Sequence, residues 1–111
     1  MTAPGPLERP GTLADLVSVQ PGAVVSRTVM KGPSGSVTLF AFGAGEGLSE
    51  HATPHEALAV VLDGEAEVSI ADESHVVSAG QALRLPATVP HAVRALSDFR
   101  MVLVMLRRAE T

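Results

Sequence analysis

What most constrains this chain is its punctuation. From residue 23 to residue 106 it is a succession of short β-rich runs, with almost no helical period between them. The runs are "AVVSRTVM", "SVTLFAF", "EALAVVL", "EAEVSI", "HVVSA", "QALRLP", "HAVRAL" and "FRMVLVML". The breaks between them are "KGPSG", "GAGEG", "DG", "ADES", "AG", "ATVP" and "SD". Short strands with turns at this spacing specify an all-β sandwich or barrel. Asp63-Gly64 is the strongest turn signal, and it predicts a two-residue hairpin of type I′. Past it, Ala66, Val68 and Ile70 alternate with Glu65, Glu67 and Ser69, so one face is buried and the other wet.

The last run is different. Val102, Val104 and Leu106 alternate with Met101, Leu103 and Met105, so both faces of this strand need cover. A second sheet covers one face. The other calls for a loop or a second subunit, and burying each Val or Leu there contributes about 1.5–3 kcal/mol. A two-fold homodimer is the expectation.

The ends of the chain lack this pattern. Residues 1–11 contain three Pro and two Gly and read as an irregular arm, followed by "TLADLV", a single helical turn with Thr12 as its cap. The expected organisation is an N-terminal arm over 1–23, one β domain over 24–106 and a C-terminal tail over 107–111. A chain of 111 residues suits one domain with one core. Net charge is −4, and there is neither Trp nor Tyr, which speaks against a nucleic-acid partner. Cysteine is absent, so there is no disulfide frame and no catalytic thiol. The N-terminus lacks a basic start followed by an apolar stretch, and apolar runs such as "MVLVML" fall far short of the roughly 20 residues of a membrane helix. A cytoplasmic protein without a membrane partner is expected.

Chemistry concentrates in "HATPHEALAVVLDG", where His51 and His55 flank Pro54 and Glu56 follows at once. Together with "GAGEGLSE" before it and "AGQALRLPATVPHAV" later, this stretch resembles the two motifs of a small single-domain cupin of the cupin 2 conserved-barrel type. Gly45, His51 and Gly64 match the first motif, and Gly80, Pro86 and His91 match the second. Thr53 stands where the family has its second histidine, Ala57 where it has a glutamate, Thr88 where the second motif has a further glycine, and Ala95 where it has an asparagine. The resemblance implies a double-sheet jelly-roll barrel. It also implies a divalent transition metal (Fe, Mn, Ni or Zn) inside it, with His51 and His91 at ligand positions.

Beside the resemblance, the residues make their own case. On an extended chain His51, Thr53 and His55 share a side, and Pro54 interrupts the ladder between them. A bend at Pro54 turns His55 inward, making His51, His55 and His91 a three-imidazole metal site. Glu56 joins as a fourth ligand only if a bulge shifts the register. The competing interpretation is a vestigial site whose histidines hydrogen-bond each other or water. Two function classes follow. One is a protein that binds a divalent metal and a small molecule, as metal-dependent oxygenases, isomerases and lyases do. The other is a non-catalytic module that captures a small molecule. No Ser lies in a nucleophile elbow, no acidic residue completes a triad, and neither "GPSG" nor "GAGEG" leads into a phosphate-binding helix. Arg84 and Arg94 are expected on exposed strand faces, His75 at the surface, and Met101 and Met105 in the core.

Overall fold

The computed structural model describes residues 5–108, so the first residues of the arm and the last of the tail lie outside it. Nine strands follow a single 3-10 turn at Leu13–Leu16. They are β1 Val24–Gly32, β2 Gly35–Phe42, β3 Gly47–His51, β4 Glu56–Asp63, β5 Glu65–Ile70, β6 Glu73–Ser78, β7 Ala82–Leu85, β8 His91–Ala95 and β9 Phe99–Leu106. Eight of these correspond to the apolar runs. The ninth, β3, has the sequence "GLSEH" and is largely exposed, so no hydrophobic period announces it. It is an edge strand held by one neighbour.

The strands form two antiparallel sheets, ordered β1-β2-β9-β4-β7 and β3-β8-β5-β6. Among the described residues no ladder joins the two, so the fold is all-β with two facing sheets rather than a barrel closed by hydrogen bonds. One core fills the space between them. Phe42, Ala59, Val61, Phe99 and Met101 from the first sheet meet Ala66, Val68, Val77, Val93 and Ala95 from the second. Phe42 and Phe99 stack with ring centroids 4.4 Å apart and planes 7° from parallel, a geometry that adds to simple burial.

The Asp63-Gly64 turn is not the hairpin its sequence predicts. β4 and β5 lie in different sheets, and of the two residues only Gly64 has positive φ, at 75°. The pair is a corner at which the chain crosses from one sheet to the other. A Cβ on Gly64 would lie 2.1 Å from the Asp98 carbonyl oxygen, in the corner where β8 crosses back to β9. Glycine is required here by close backbone approach as much as by φ.

The outer face of the five-stranded sheet is covered at one end from within the chain. Leu13, Leu16, Val17 and Val19 pack on Leu39, Ala41 and Val102. The Arg27 guanidinium donates to the Leu16 carbonyl at 3.2 Å. Arg100 donates to the Val17 carbonyl at 3.0 Å and pairs with Asp63 at 2.7 Å. Two arginines thus tie an apolar strap over one end of the outer face of β9. At the other end Met30, Leu58 and Leu106 stay exposed. No helix of the described residues is long and apolar enough to cross a membrane.

Candidate functional site

β3 and β8 run antiparallel, with Gly47 opposite Arg94 and Leu48 opposite Val93. Regular pairing would then set His51 opposite Pro90, on the outer side. A register shift between Leu48 and His51 sets it opposite His91 instead. An inserted residue reverses the side-chain parity of a strand, so Leu48 and His51, three positions apart, face the same way. The two imidazoles meet edge to face, centroids 4.4 Å apart and planes 66° apart.

Both rings are oriented by backbone. His51 Nδ1 lies 2.7 Å from the Ser49 carbonyl oxygen, and His91 Nδ1 lies 3.2 Å from that of Val89. A carbonyl oxygen only accepts, so each Nδ1 carries the proton and donates it. In each neutral ring Nε2 is therefore left with a free lone pair. His91 is the one buried polar residue among the described residues, at 7% exposure, and His51 beside it is exposed. Burial pushes the His91 imidazole below its ordinary pKa. The Val89 carbonyl works against that shift, and the neighbouring His51 charge adds to it.

His55 does not join this pair. It lies outside β4, just before Glu56, and its Nδ1 accepts the backbone N–H of Arg108 at 3.1 Å, beyond the end of β9. The bend at Pro54 is stabilised by the Thr53 hydroxyl, whose Oγ1 lies 3.2 Å from both the nitrogen and the carbonyl oxygen of His55. Glu56 begins β4 opposite Leu106, on the outer side of the sheet, while Ala57 and Ala59 face inward. Its carboxylate accepts from Arg84 at 2.9 Å and from the Ala87 backbone N–H. These two donors, the Ala87 amide first, hold the Glu56 carboxyl below its ordinary range. The fourth-ligand role weighed for Glu56 is not met, because β4 keeps regular pairing at this end and no bulge shifts the residue inward. Among the described residues no three His, Cys, Asp or Glu side chains gather around one point.

The donor set can be weighed against the metal that the resemblance implies. His51 and His91 offer two neutral Nε2 atoms with fixed orientation, the support that metal-binding imidazoles ordinarily have. The remaining family positions offer little: the Thr53 hydroxyl is engaged with the His55 backbone, and Ala57 has no donor. Two imidazoles fall short of the three or more protein ligands that hold a resident ion. The residues therefore do not fit a resident four-ligand centre.

The other singled-out side chains are peripheral. Arg84 and Arg94 are well exposed and pair with Glu56 and Glu67. His75 is half-exposed, 3.6 Å from Glu73. An open groove of about 420 Å³ crosses the outer side of β3, β5 and β8, lined by Gly47, Ser49, Glu67, Ser69, Ala92 and Arg94. It lies on the far side of that sheet from the core packed around Val68 and Val93.

Among curated proteins none matches this chain. Among solved structures, it is similar to a conserved protein of unknown function from Streptococcus pyogenes, at 29% identity over 93% of this chain and 90% of the other, with a TM-score of 0.88. A cupin superfamily protein from Desulfitobacterium hafniense matches at 29% identity over 94% and 95%, also at 0.88. A cupin 2 conserved barrel domain protein from Leptotrichia buccalis matches at 35% identity, TM-score 0.82, over 85% of this chain and 46% of that one. Two facing antiparallel sheets, histidines brought together from the two motif stretches, and a match of residues 38–107 to the cupin domain model place this chain in the cupin domain family.

Proposed function

We propose that this protein is a non-catalytic cupin that binds a small molecule through the His51–His91 pair. The observation that carries this reading is the division of the histidines. Two imidazoles meet with both Nδ1 protons committed to backbone, and the third is turned away to the Arg108 amide. Two fixed Nε2 acceptors suit a ligand that presents N–H or O–H donors, with the aliphatic wall of Ile70, Val93 and Leu48 beside them. The carboxylate or third imidazole that metal-dependent turnover would use does not come with them.

One observation favours a second reading. Carbonyl-anchored Nδ1 atoms also suit metal ligation, and a chelating small molecule could supply the missing ligands for an Fe, Mn, Ni or Zn ion. Isothermal titration of each ion into metal-free wild type, alone and with small hydroxy or keto acids, separates the two. Weak binding of every ion alone, with ligand capture independent of metal, supports the non-catalytic module. Near-stoichiometric binding by the free protein overturns it.

The proposal extends to closure and assembly. The facing sheets correspond to the two layers of a jelly roll. A second copy packed on Met30, Leu58 and Leu106 would cover the end of the outer face that the strap leaves open. Light scattering after size exclusion should then give twice the chain mass, and Leu106→Glu should give a monomer. A wild-type monomer at micromolar concentration removes the dimer from the proposal.

A further inference from the structure

His91 follows a short loop, Pro86–Pro90, that leaves β7 and enters β8. Its centre is in an unfavourable conformation. Thr88 has φ of 68°, and a β-branched residue is poorly suited to the left-handed region. Thr88 also stands where the resembling motif has glycine. A strained residue persists only where its surroundings over-determine it.

The surroundings that do so come from one short stretch, residues 53–56. The Ala87 N–H is accepted by the Glu56 carboxylate, and the next amide, Thr88 N–H, is accepted by the Thr53 carbonyl at 2.7 Å. Beyond the strained residue, the Val89 carbonyl accepts His91 Nδ1–H, and the Pro90 carbonyl accepts the Ala71 N–H at 2.8 Å. The loop is pinned on both sides of Thr88, and its far side is the group that sets the tautomer of His91. Arg84, well exposed, steadies the Glu56 carboxylate at 2.9 Å.

The geometry points to Glu56 as a positioning residue: its carboxylate, with the Thr53 carbonyl, clamps the strained Pro86–Pro90 turn and thereby holds the Val89 carbonyl against His91 Nδ1, keeping the proton on that nitrogen and leaving Nε2 as the acceptor. This rests on the His51–His91 pair being the recognition element. If the clamp slackens, Thr88 relaxes to negative φ, Val89 moves, and His91 loses its fixed proton position. A glycine at position 88 would hold the turn without the clamp, because glycine occupies positive φ without steric cost.

The test uses the imidazole nitrogen shifts of the free protein, from long-range proton–nitrogen spectra, so failure to bind any ligand leaves its outcome intact. Wild type should show His91 as one tautomer, protonated at Nδ1. Glu56→Ala should lose that single-tautomer pattern, and the Thr88 amide should exchange faster with solvent. Glu56→Gln keeps an oxygen for the Ala87 amide and should retain the tautomer. Adding Thr88→Gly to Glu56→Ala should restore it. A folded Glu56→Ala protein with an unchanged His91 tautomer overturns the inference, as does a folded double variant that stays averaged. Should Glu56→Ala not fold, the double variant and Glu56→Gln decide: one tautomer in both supports the clamp, and averaging in either overturns it.

Discussion

His91 and His55 make an instructive pair, because each has its Nδ1 tied to the backbone and the two ties have opposite sense. His91 Nδ1 donates to a carbonyl, which leaves Nε2 as a free acceptor beside His51. His55 Nδ1 accepts an amide proton, which places the proton of the neutral ring on Nε2 and commits its lone pair to Arg108. One ring offers a lone pair and the other has spent it. Chemically alike residues from the two motif stretches are thus separated into a recognition group and a tether, and the sense of a single backbone hydrogen bond marks the separation.

The strongest way to break this comparison is to remove each ring. His91→Ala should weaken binding of any ligand or ion held by the pair at least tenfold, about 1.4 kcal/mol. His51→Ala should have an effect of the same kind, and His55→Ala should leave the affinity within about twofold, less than 0.5 kcal/mol. Isothermal titration on the three variants checks this. A loss in His55→Ala equal to that in His91→Ala would show that the third imidazole serves the site after all.

Acid provides a milder separation. Burial holds His91 below its ordinary pKa, so its charged form is disfavoured in the folded protein. Well above the ordinary histidine pKa of about 6.5 the ring is neutral in both folded and unfolded chains and contributes no pH dependence. As pH falls below that value the unfolded chain takes up a proton that folded His91 resists, so stability declines, levelling only once the folded ring also protonates. Glu56 has the same sign in a lower range. Its carboxyl is held down by the Ala87 amide and Arg84, so the stability it contributes is present above the ordinary carboxyl value and is lost as pH falls through the folded one. Melting temperature should therefore drop from pH 7 toward about pH 5, with a shallower drop in His91→Gln. Equal slopes in the two proteins would place the proton uptake elsewhere.

The smallest effect is expected at the tether itself. His55→Ala removes one acceptor at an exposed end of the sheet, so its cost in stability should stay within about 0.5 kcal/mol. The Arg108 amide alone should exchange markedly faster in a hydrogen-exchange experiment. Protection lost along the whole of β9 would mean that His55 anchors the strand rather than its end.

Much of this architecture was legible before any coordinates. Each of the eight apolar runs lies on a strand, because alternation of side chains maps directly onto a half-buried sheet. Within β4, Ala57, Ala59 and Val61 face the core and Glu56 the other side, as plain strand alternation requires. β3 was illegible because an exposed edge strand has no buried face to write a period into the sequence. Cover for the face of Val102 was expected from a loop or a second subunit, but the stretch that supplies it was not legible, because Leu13, Leu16, Val17 and Val19 are too few to show a period of their own and become a strap only where β9 lies beneath them.

The resemblance to a cupin joined histidines from two separate stretches; the residues themselves set the all-β class, where most strands begin and end, and which faces are apolar. These follow from local chemistry: side-chain alternation, turn residues and motif spacing act over a few residues. Only the tertiary structure decided that Asp63-Gly64 is a corner between sheets, that His51 turns to the side of His91, and that His55 turns away. Those outcomes depend on partners distant in the chain: the Asp98 carbonyl against Gly64, the register of β3 on β8, and the Arg108 amide beyond β9. A one-residue shift in a strand reverses the direction of every side chain beyond it, and nothing in the spacing of "HATPH" records which strand it pairs with or where that pairing slips.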